Sequence, residues 1–153
     1  MGVFLDAVKG IEAPSLVHAH TGQVIASSVE IADSRATRRR GLLGRDGLPE
    51  GTALIITLCK GVHTFAMRFT IDVVFVDRSG TIRKIVRKMG PRRMAFSPMA
   101  SMAIECESGA LPIDTLSVGD RLYLAPASSG APAGEAHERG TQVRRGIVAE
   151  FQH

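Results

Sequence analysis

Short runs of apolar residues that alternate with polar ones dominate the chain between residues 15 and 124. Such alternation is typical of strands that bury one face. A turn at Thr21-Gly22 and another at residues 78–80 lie between such runs, so each favours a hairpin. We expect strands at residues 16–17, 23–25, 29–31, 53–59, 62–67, 71–77, 81–89, 102–107 and 121–124.

Two of the predicted elements need a separate argument. Residues 81–89 also show helical spacing of their apolar positions, but the turn before them favours a returning strand with a bulge. Asp33 or Ser34 can cap a short helix that carries three consecutive arginines and stops at Gly44, and a second short helix is expected around residues 112–116. The pattern predicts a mainly β (α+β) fold, a compact antiparallel β-barrel-like single domain with two short helices.

The length of 153 residues leaves room for one ordinary domain. We expect an N-terminal extension over residues 1–14, the β-barrel-like domain over residues 15–125, and a disordered tail over residues 126–153. The tail is rich in Ala, Ser, Gly and Pro and has no apolar period. No apolar run approaches the roughly 18–20 residues of a membrane-spanning helix, so no membrane span is predicted.

The net charge of +4, from 19 basic and 15 acidic residues, raises the question of nucleic acid. Residues 35–46 carry +4 and residues 77–93 carry +6, whereas residues 94–120 carry −4. The first block fits the solvated face of a short helix, and the second fits an edge strand protected by cations. With aromatic residues at only 5%, this arrangement argues against a nucleic-acid partner.

The densest group of chemically versatile side chains lies in residues 61–72. His63, Phe65 and Met67 share one face of the strand expected there, and Arg68 and Asp72 follow. Histidine can act as acid, base or ligand, and arginine can hold a carboxylate or phosphate. A hydrogen-bonded histidine and a structural Arg–Asp brace account for the same residues without any ligand.

Several runs of the sequence resemble one family in the same order. They are GLLGR, VHTF-x-M-R-F-x-IDVVF-x-D and a closing GD turn at Gly119-Asp120, and they extend from about Leu16 to Leu124. In these runs the chain is similar to the domain-of-unknown-function family 192, small prokaryotic proteins also called an ancient conserved region. The resemblance implies a compact β-barrel-like domain of unestablished activity whose signature positions here are His63, Phe65, Met67, Arg68, Asp72, Gly119 and Asp120. Thr70 replaces the proline that many relatives carry.

The thiols and the remaining histidines provide two weaker alternatives. A metal site could be assembled from Cys59, His63 and Cys106, or from His18 and His20, but the CxxC pairs of structural zinc sites are absent. A Cys59–His63 dyad would need a turn between the two residues. We therefore predict no metal and no cofactor, and two free thiols, which are typical of a cytoplasmic protein.

These observations predict a small binding module. Its ligand would be a small polar or anionic molecule, or a peptide end, in a cleft edged by His63, Arg68 and Asp72 over a floor of Phe65 and Met67. The first alternative is an enzyme in which Asp72 orients His63 as a general base. The second is a structural domain that binds a partner protein through a basic face.

Overall fold

A computed structural model describes residues 3–8 and 11–127 of the chain. The predicted tail lies outside these residues, apart from its first two positions. The described part contains two α-helices, ten strands and one 3₁₀ turn: α1 (Val3–Val8), β1 (Ser15–His18), β2 (Val24–Ala26), β3 (Ser28–Ala32), α2 (Arg35–Arg40), β4 (Thr52–Thr57), β5 (Gly61–His63), β6 (Ile71–Val76), β7 (Ile82–Met89), β8 (Met94–Phe96), β9 (Met102–Glu107), the 3₁₀ turn (Ile113–Thr115) and β10 (Leu122–Ala125).

The strands form three sheets. The largest has the order β3-β4-β9-β6-β7, a second has the order β10-β1-β2, and β5 pairs with β8 alone. The mainly β class is confirmed, but within residues 3–8 and 11–127 no sheet closes into a barrel. The antiparallel prediction is wrong for β3 and β4, which are parallel. Parallel pairing needs a long crossover, and residues 33–51 with α2 supply it.

Both faces of the five-stranded sheet are covered, and this decides the environment of its central strands. Val74, Met102 and Ile104 belong to an apolar cluster on one face, together with residues of β1, β2 and β10. Val73 and Ala103 belong to a second cluster on the other face, which includes Leu42, Leu48, Val62 and Met67. Every residue of β4 and β6, and all but the last residue of β9, is buried. Any polar side chain on these strands is therefore removed from water.

The helix predictions are confirmed at one position and changed at the other. Ser34 caps α2 through a reciprocal pair of bonds with Thr37, as its place in the sequence predicts. The predicted stop at Gly44 is wrong, because the helix ends at Arg40 and Gly41 is its C-cap. The second predicted helix is the single 3₁₀ turn at Ile113–Thr115. The predicted N-terminal extension contains α1, and Phe4 of this helix is buried in the core.

The second basic block lies on an edge strand, as predicted. Residues 82–89 form β7 at the end of the large sheet, and its register against β6 shifts at two bulges. Arg83 pairs with Asp77 at 2.6 Å, and Arg87 pairs with Asp114 at 2.9 Å. The acidic segment thus neutralises part of the block within the chain. No helix in the portion of the chain covered by the structure is long and apolar enough to cross a membrane.

Candidate functional site

The segment that carries the predicted site is a short strand followed by a turn. β5 ends at His63, and the fully buried Thr64 follows, with its hydroxyl donating to the carbonyl of Gly90 at 2.7 Å. Ala66 has φ +62°, and the N–H of Met67 donates to the carbonyl of Thr64 at 3.2 Å. The strand predicted at 62–67 is therefore wrong beyond His63, because Thr64 anchors a turn.

This turn separates the side chains that strand alternation placed together. His63 is exposed and lies beside Phe65, with 5.3 Å between ring centroids. Met67 is 8% exposed and belongs to the core cluster, whereas Phe65 is 46% exposed. A continuous floor of Phe65 and Met67 is not formed. Arg68 is exposed and pairs with the exposed Asp46 at 2.6 Å.

Asp72 is a buried brace with a complete set of donors. Its carboxylate accepts the backbone N–H of Lys88 at 2.7 Å, the hydroxyl of Ser108 at 3.1 Å and the backbone N–H of Gly109 at 3.3 Å. These bonds tie β6 to a bulge of β7 and to the turn after β9. The hypothesis that Asp72 orients His63 is wrong, because the bonds of its carboxylate go to other groups.

The Gly119-Asp120 turn also has a structural partner. Asp120 lies 3.1 Å from Nε2 of the buried His18 and accepts the backbone N–H of Ser117 at 2.9 Å. These two contacts lower the pKa of Asp120 below its usual range. The backbone N–H of Thr21 donates to Nδ1 of His18, so Nε2 carries the proton that His18 donates to Asp120. Gly119, with φ +98°, makes the turn possible.

The candidate metal ligands Cys59, His63, Cys106, His18 and His20 do not form a metal-holding group in the described residues. Across residues 3–8 and 11–127, no three His, Cys, Asp or Glu side chains form a metal-holding group. Both cysteines are free, as predicted. The Cys59 thiol donates to the carbonyl of Gly61 at 3.1 Å rather than to His63, and burial raises its pKa. Cys106 is buried in the core, which raises its pKa to about 12.

A small pocket brings together three separate motifs of the sequence. Its volume is about 70 Å³, and it lies between the segment after α2, the strand β5 and the large sheet. We call it the Glu105 pocket; it is lined by residues 38–43, Ile56, residues 61–63, Met67 and Glu105. His63 and Met67 are the members of the predicted site that line it.

Glu105 gives this pocket its chemical character. The residue is only 4% exposed, and no hydrogen bond or ion pair is formed by its carboxylate in the described chain. A Cβ added at Gly41 would lie 3.9 Å from Oε2 of Glu105, so the backbone after α2 passes close to the carboxylate. Burial raises the pKa of Glu105 to about 7.

The sequence alone did not indicate Glu105 as a site residue, because Glu105 occupies a polar position in a strand of alternating apolar and polar residues. Met102, Ile104 and Cys106 point to one face and Ala103 and Glu105 to the other. Alternation is typical of a strand with one wet face, but β9 lies between β4 and β6 and is covered on both. The small Ala103 beside Glu105 is a weak signal of a covered face.

A second hollow adjoins β5 on its other side. It has a volume of about 320 Å³ and is lined by Gly61, Val62, His63, Met94, Ala95 and Phe96. The strand β5 is therefore a wall shared by two recesses, one with a carboxylate and one that is mainly apolar.

Two solved structures are similar to this chain. A protein described as a putative transcription regulator from Sinorhizobium meliloti 1021 is 22% identical with a TM-score of 0.63, over 72% of this chain and 91% of that one. A protein of unknown function from Novosphingobium aromaticivorans DSM 12444 is 18% identical with a TM-score of 0.56, over 76% and 95%. At these identities the likeness shows the fold alone. No curated protein matches the chain.

The sequence profile of domain-of-unknown-function family 192, described as an uncharacterized ACR (ancient conserved region), matches residues 16–124. This range includes every segment that lines the Glu105 pocket and the hollow beside it. Because the match spans more than half of the sequence, the chain belongs to domain-of-unknown-function family 192.

Proposed function

We propose that the domain is a binding module that takes a small polar ligand, or the end of a larger one, in the Glu105 pocket. The observation that carries the proposal is that Glu105, a residue only 4% exposed, accepts no hydrogen bond from the described residues and lines a pocket. An ionised carboxylate removed from water without a partner costs several kcal/mol, roughly, so fold stability alone does not favour a glutamate here. A ligand that donates to Glu105 would supply the missing partner.

The lining of the pocket defines the ligand class. The carboxylate of Glu105 can accept hydrogen bonds, which suits an ammonium or another N–H donor. Three arginines of α2, Arg38, Arg39 and Arg40, line the same pocket and suit an anionic group. A volume of about 70 Å³ fits a small head group rather than a whole cofactor, since drug-sized ligands fill roughly 300–1,000 Å³. The class is a small zwitterion, such as an amino acid or a peptide end.

This proposal keeps part of the site expected from the sequence. His63 and Met67 stay in it as lining residues, and the ligand remains small and polar. Three residues of the expected site are not part of this proposal. Arg68 pairs with Asp46, Phe65 lies beside the ring of His63, and Asp72 accepts the backbone N–H of Lys88. The cytoplasmic location stays a prediction.

Four simple probes test the proposal by NMR titration of the backbone amides of Gly41 and Val62. Glycine carries both charges, methylammonium only the donor, acetate only the anion, and tetramethylammonium a charge without a donor. We expect glycine to shift both amides most, methylammonium less, and tetramethylammonium not at all. Glu105→Gln abolishes the response to methylammonium, and the exposed Glu50→Gln serves as the matched control.

Two results would contradict the proposal. One is the absence of any shift at Gly41 and Val62 with all four probes at millimolar concentrations. The other is an equal response of the wild type and Glu105→Gln to methylammonium, which would show that the carboxylate is not the recognition element.

A second candidate is an enzyme in which Glu105 and His63 exchange protons with a substrate. The observation that favours it is that two titratable side chains line one pocket, and the pKa of Glu105 near 7 suits acid–base work. Turnover in a panel of hydrolase substrates with a bell-shaped pH profile, lost in both Glu105→Gln and His63→Ala, would support it. If the probes bind and no substrate turns over, the binding module is favoured.

A further inference from the structure

The outer face of the two-stranded sheet formed by β5 and β8 exposes an unusual amount of apolar surface. Met94 is 75% exposed and Phe96 is 60% exposed, and Phe65 beside His63 is 46% exposed. The inner face of the same sheet is covered, because Val62 is buried and Ala95 is half-buried. Grouped exposed apolar side chains on a folded domain mark surfaces that bind other molecules. We call the surface formed by His63, Phe65, Met94 and Phe96 the β5–β8 face.

The β5–β8 face has a concave centre. The hollow of about 320 Å³ is lined by the paired residues of both strands, including Gly61 and Phe96. A Cβ at Gly61 would lie 3.2 Å from the Phe96 ring, so the ring packs over a position that has no side chain. The hollow is therefore a shallow recess that is open to solvent.

The backbone at the edges of this sheet has unused hydrogen-bonding groups. The ladder bonds run from Ser97 to Lys60 and from Thr64 to Arg93. In an antiparallel ladder the intervening pair, His63 and Met94, directs its peptide groups outward. The same sheet has no third strand in the described part of the chain. An extended segment can add to such an edge through main-chain hydrogen bonds.

The chain segments that carry and flank the two strands contain basic residues and no acidic ones. The sequence has no Asp or Glu between Glu50 and Asp72, and none between Asp77 and Glu105. The ammonium of Lys84 donates to the carbonyl of Phe96 at 3.0 Å, which places this cation at the edge of β8. Lys60, Arg92 and Arg93 flank the two strands and are exposed, and the ion pairs found over residues 3–8 and 11–127 do not include them.

We propose that the β5–β8 face docks an extended, acidic segment of a partner protein whose apolar side chains enter the hollow. Charge complementarity argues for the acidic character, the recess for the apolar side chains, and the free edges for the extended backbone. An anionic membrane would also attract apolar and basic groups, but it offers no strand to pair with these edges and fills no recess. The docking surface is separate from the Glu105 pocket, although β5 contributes to both.

A capped, fluorescent peptide that alternates Glu with Phe and Leu tests this proposal by anisotropy. The same peptide with Lys in place of Glu controls for charge. We expect the acidic peptide to bind, and the double variant M94S/F96S to weaken binding about tenfold or more through lost apolar contact. R92Q/R93Q is expected to weaken it about threefold or more and to reduce its dependence on salt. Amide shifts at Gly61, His63 and Ala95 locate the peptide.

Matched variants separate the face from general surface properties. Val118 is 64% exposed elsewhere on the surface, so V118S removes an exposed apolar side chain without touching the face. R78Q removes an exposed charge at the tip of the β6–β7 hairpin. Both variants are expected to bind the peptide as the wild type does.

Three outcomes would overturn the docking proposal. The first is no binding of the acidic peptide, and the second is equal binding by the wild type and M94S/F96S. The third is that the protein binds phosphatidylglycerol vesicles but neither phosphatidylcholine vesicles nor the peptide. This result would identify the face as a membrane-binding surface.

Discussion

Asp72 and Glu105 are buried carboxylates on neighbouring strands of one sheet, but they differ in their hydrogen bonds and in the face to which they point. Asp72 on β6 is 5% exposed and Glu105 on β9 is 4% exposed. Asp72 pairs across the ladder with Cys106, next to Glu105, so the two side chains point to opposite faces. Asp72 accepts three hydrogen bonds, whereas Glu105 has none from the described residues and faces a pocket.

The difference shows what each carboxylate does for the protein. Asp72 satisfies two backbone N–H groups and a hydroxyl where the chain bends, so its burial is compensated. Glu105 is largely buried and accepts no hydrogen bond from the described residues, and this burial raises its pKa to about 7. A group that reduces stability and lines a pocket is a candidate for function.

The largest effect is expected when the brace is removed. Asp72→Ala leaves the N–H groups of Lys88 and Gly109 and the Ser108 hydroxyl without an acceptor, and we expect a loss of about 3 kcal/mol in the free energy of unfolding. Urea unfolding measures it, with Asp46→Ala at an exposed position as the control. A loss below about 1 kcal/mol would be within the range of an ordinary surface change and would contradict the brace.

In contrast to Asp72, the ionised carboxylate of Glu105 is expected to lower the free energy of unfolding. The unfolded carboxyl ionises near its ordinary pKa of 4.5, but the folded one ionises near 7. Between these values the folded state binds more protons, so the contribution of this group to stability falls as pH rises, by about 3 kcal/mol in total, and levels off above pH 7.

Glu105→Gln should remove this pH dependence. We expect the variant to be about 2 kcal/mol more stable than the wild type at pH 8, because Gln stays neutral but still buries an amide. Near pH 5 the two proteins should differ by less than about 1 kcal/mol. Urea unfolding across this pH range, with Glu50→Gln as control, measures the difference. A variant that is less stable at pH 8 would mean that the carboxylate has a stabilising partner.

The smallest effect is expected at the exposed pair. Arg68→Gln breaks the contact with Asp46, but both side chains are mostly in water, at 68% and 84% exposure. Such pairs contribute roughly 0.2–1 kcal/mol, and we expect a change below about 0.5 kcal/mol. Thermal unfolding at low and high salt measures it. A much larger loss of stability would contradict this prediction and would show that Arg68 has a structural role beyond its exposed pair with Asp46.

Local chemistry made several elements predictable. Residues 78–80 close the β6–β7 hairpin, and Ser34 caps α2, because turn and cap preferences act over a few neighbouring residues. The cations of β7 correctly indicated an edge strand. β8 was not predicted, since Met94–Phe96 is only three residues long and its pairing with β5 is not local.

The site was less predictable than the fold, for a physical reason. His63 and Met67 were recognised as candidates and line the Glu105 pocket, but strand alternation wrongly joined Met67 to Phe65 and extended β5 past Thr64. The bonds of Thr64 to Gly90 and Arg93 that end the strand come from residues about thirty positions away. Alternation in one segment contains no information about these partners.

The sequence by itself determined the mainly β class, the family and the segments from which the site is drawn, because periodicity and short motifs are local properties. Only the tertiary structure decided that β9 lies between β4 and β6 with both faces covered. That position turns Glu105 from the polar residue of an alternating strand into a buried carboxylate, because desolvation depends on what packs over a strand and not on the strand's own residues.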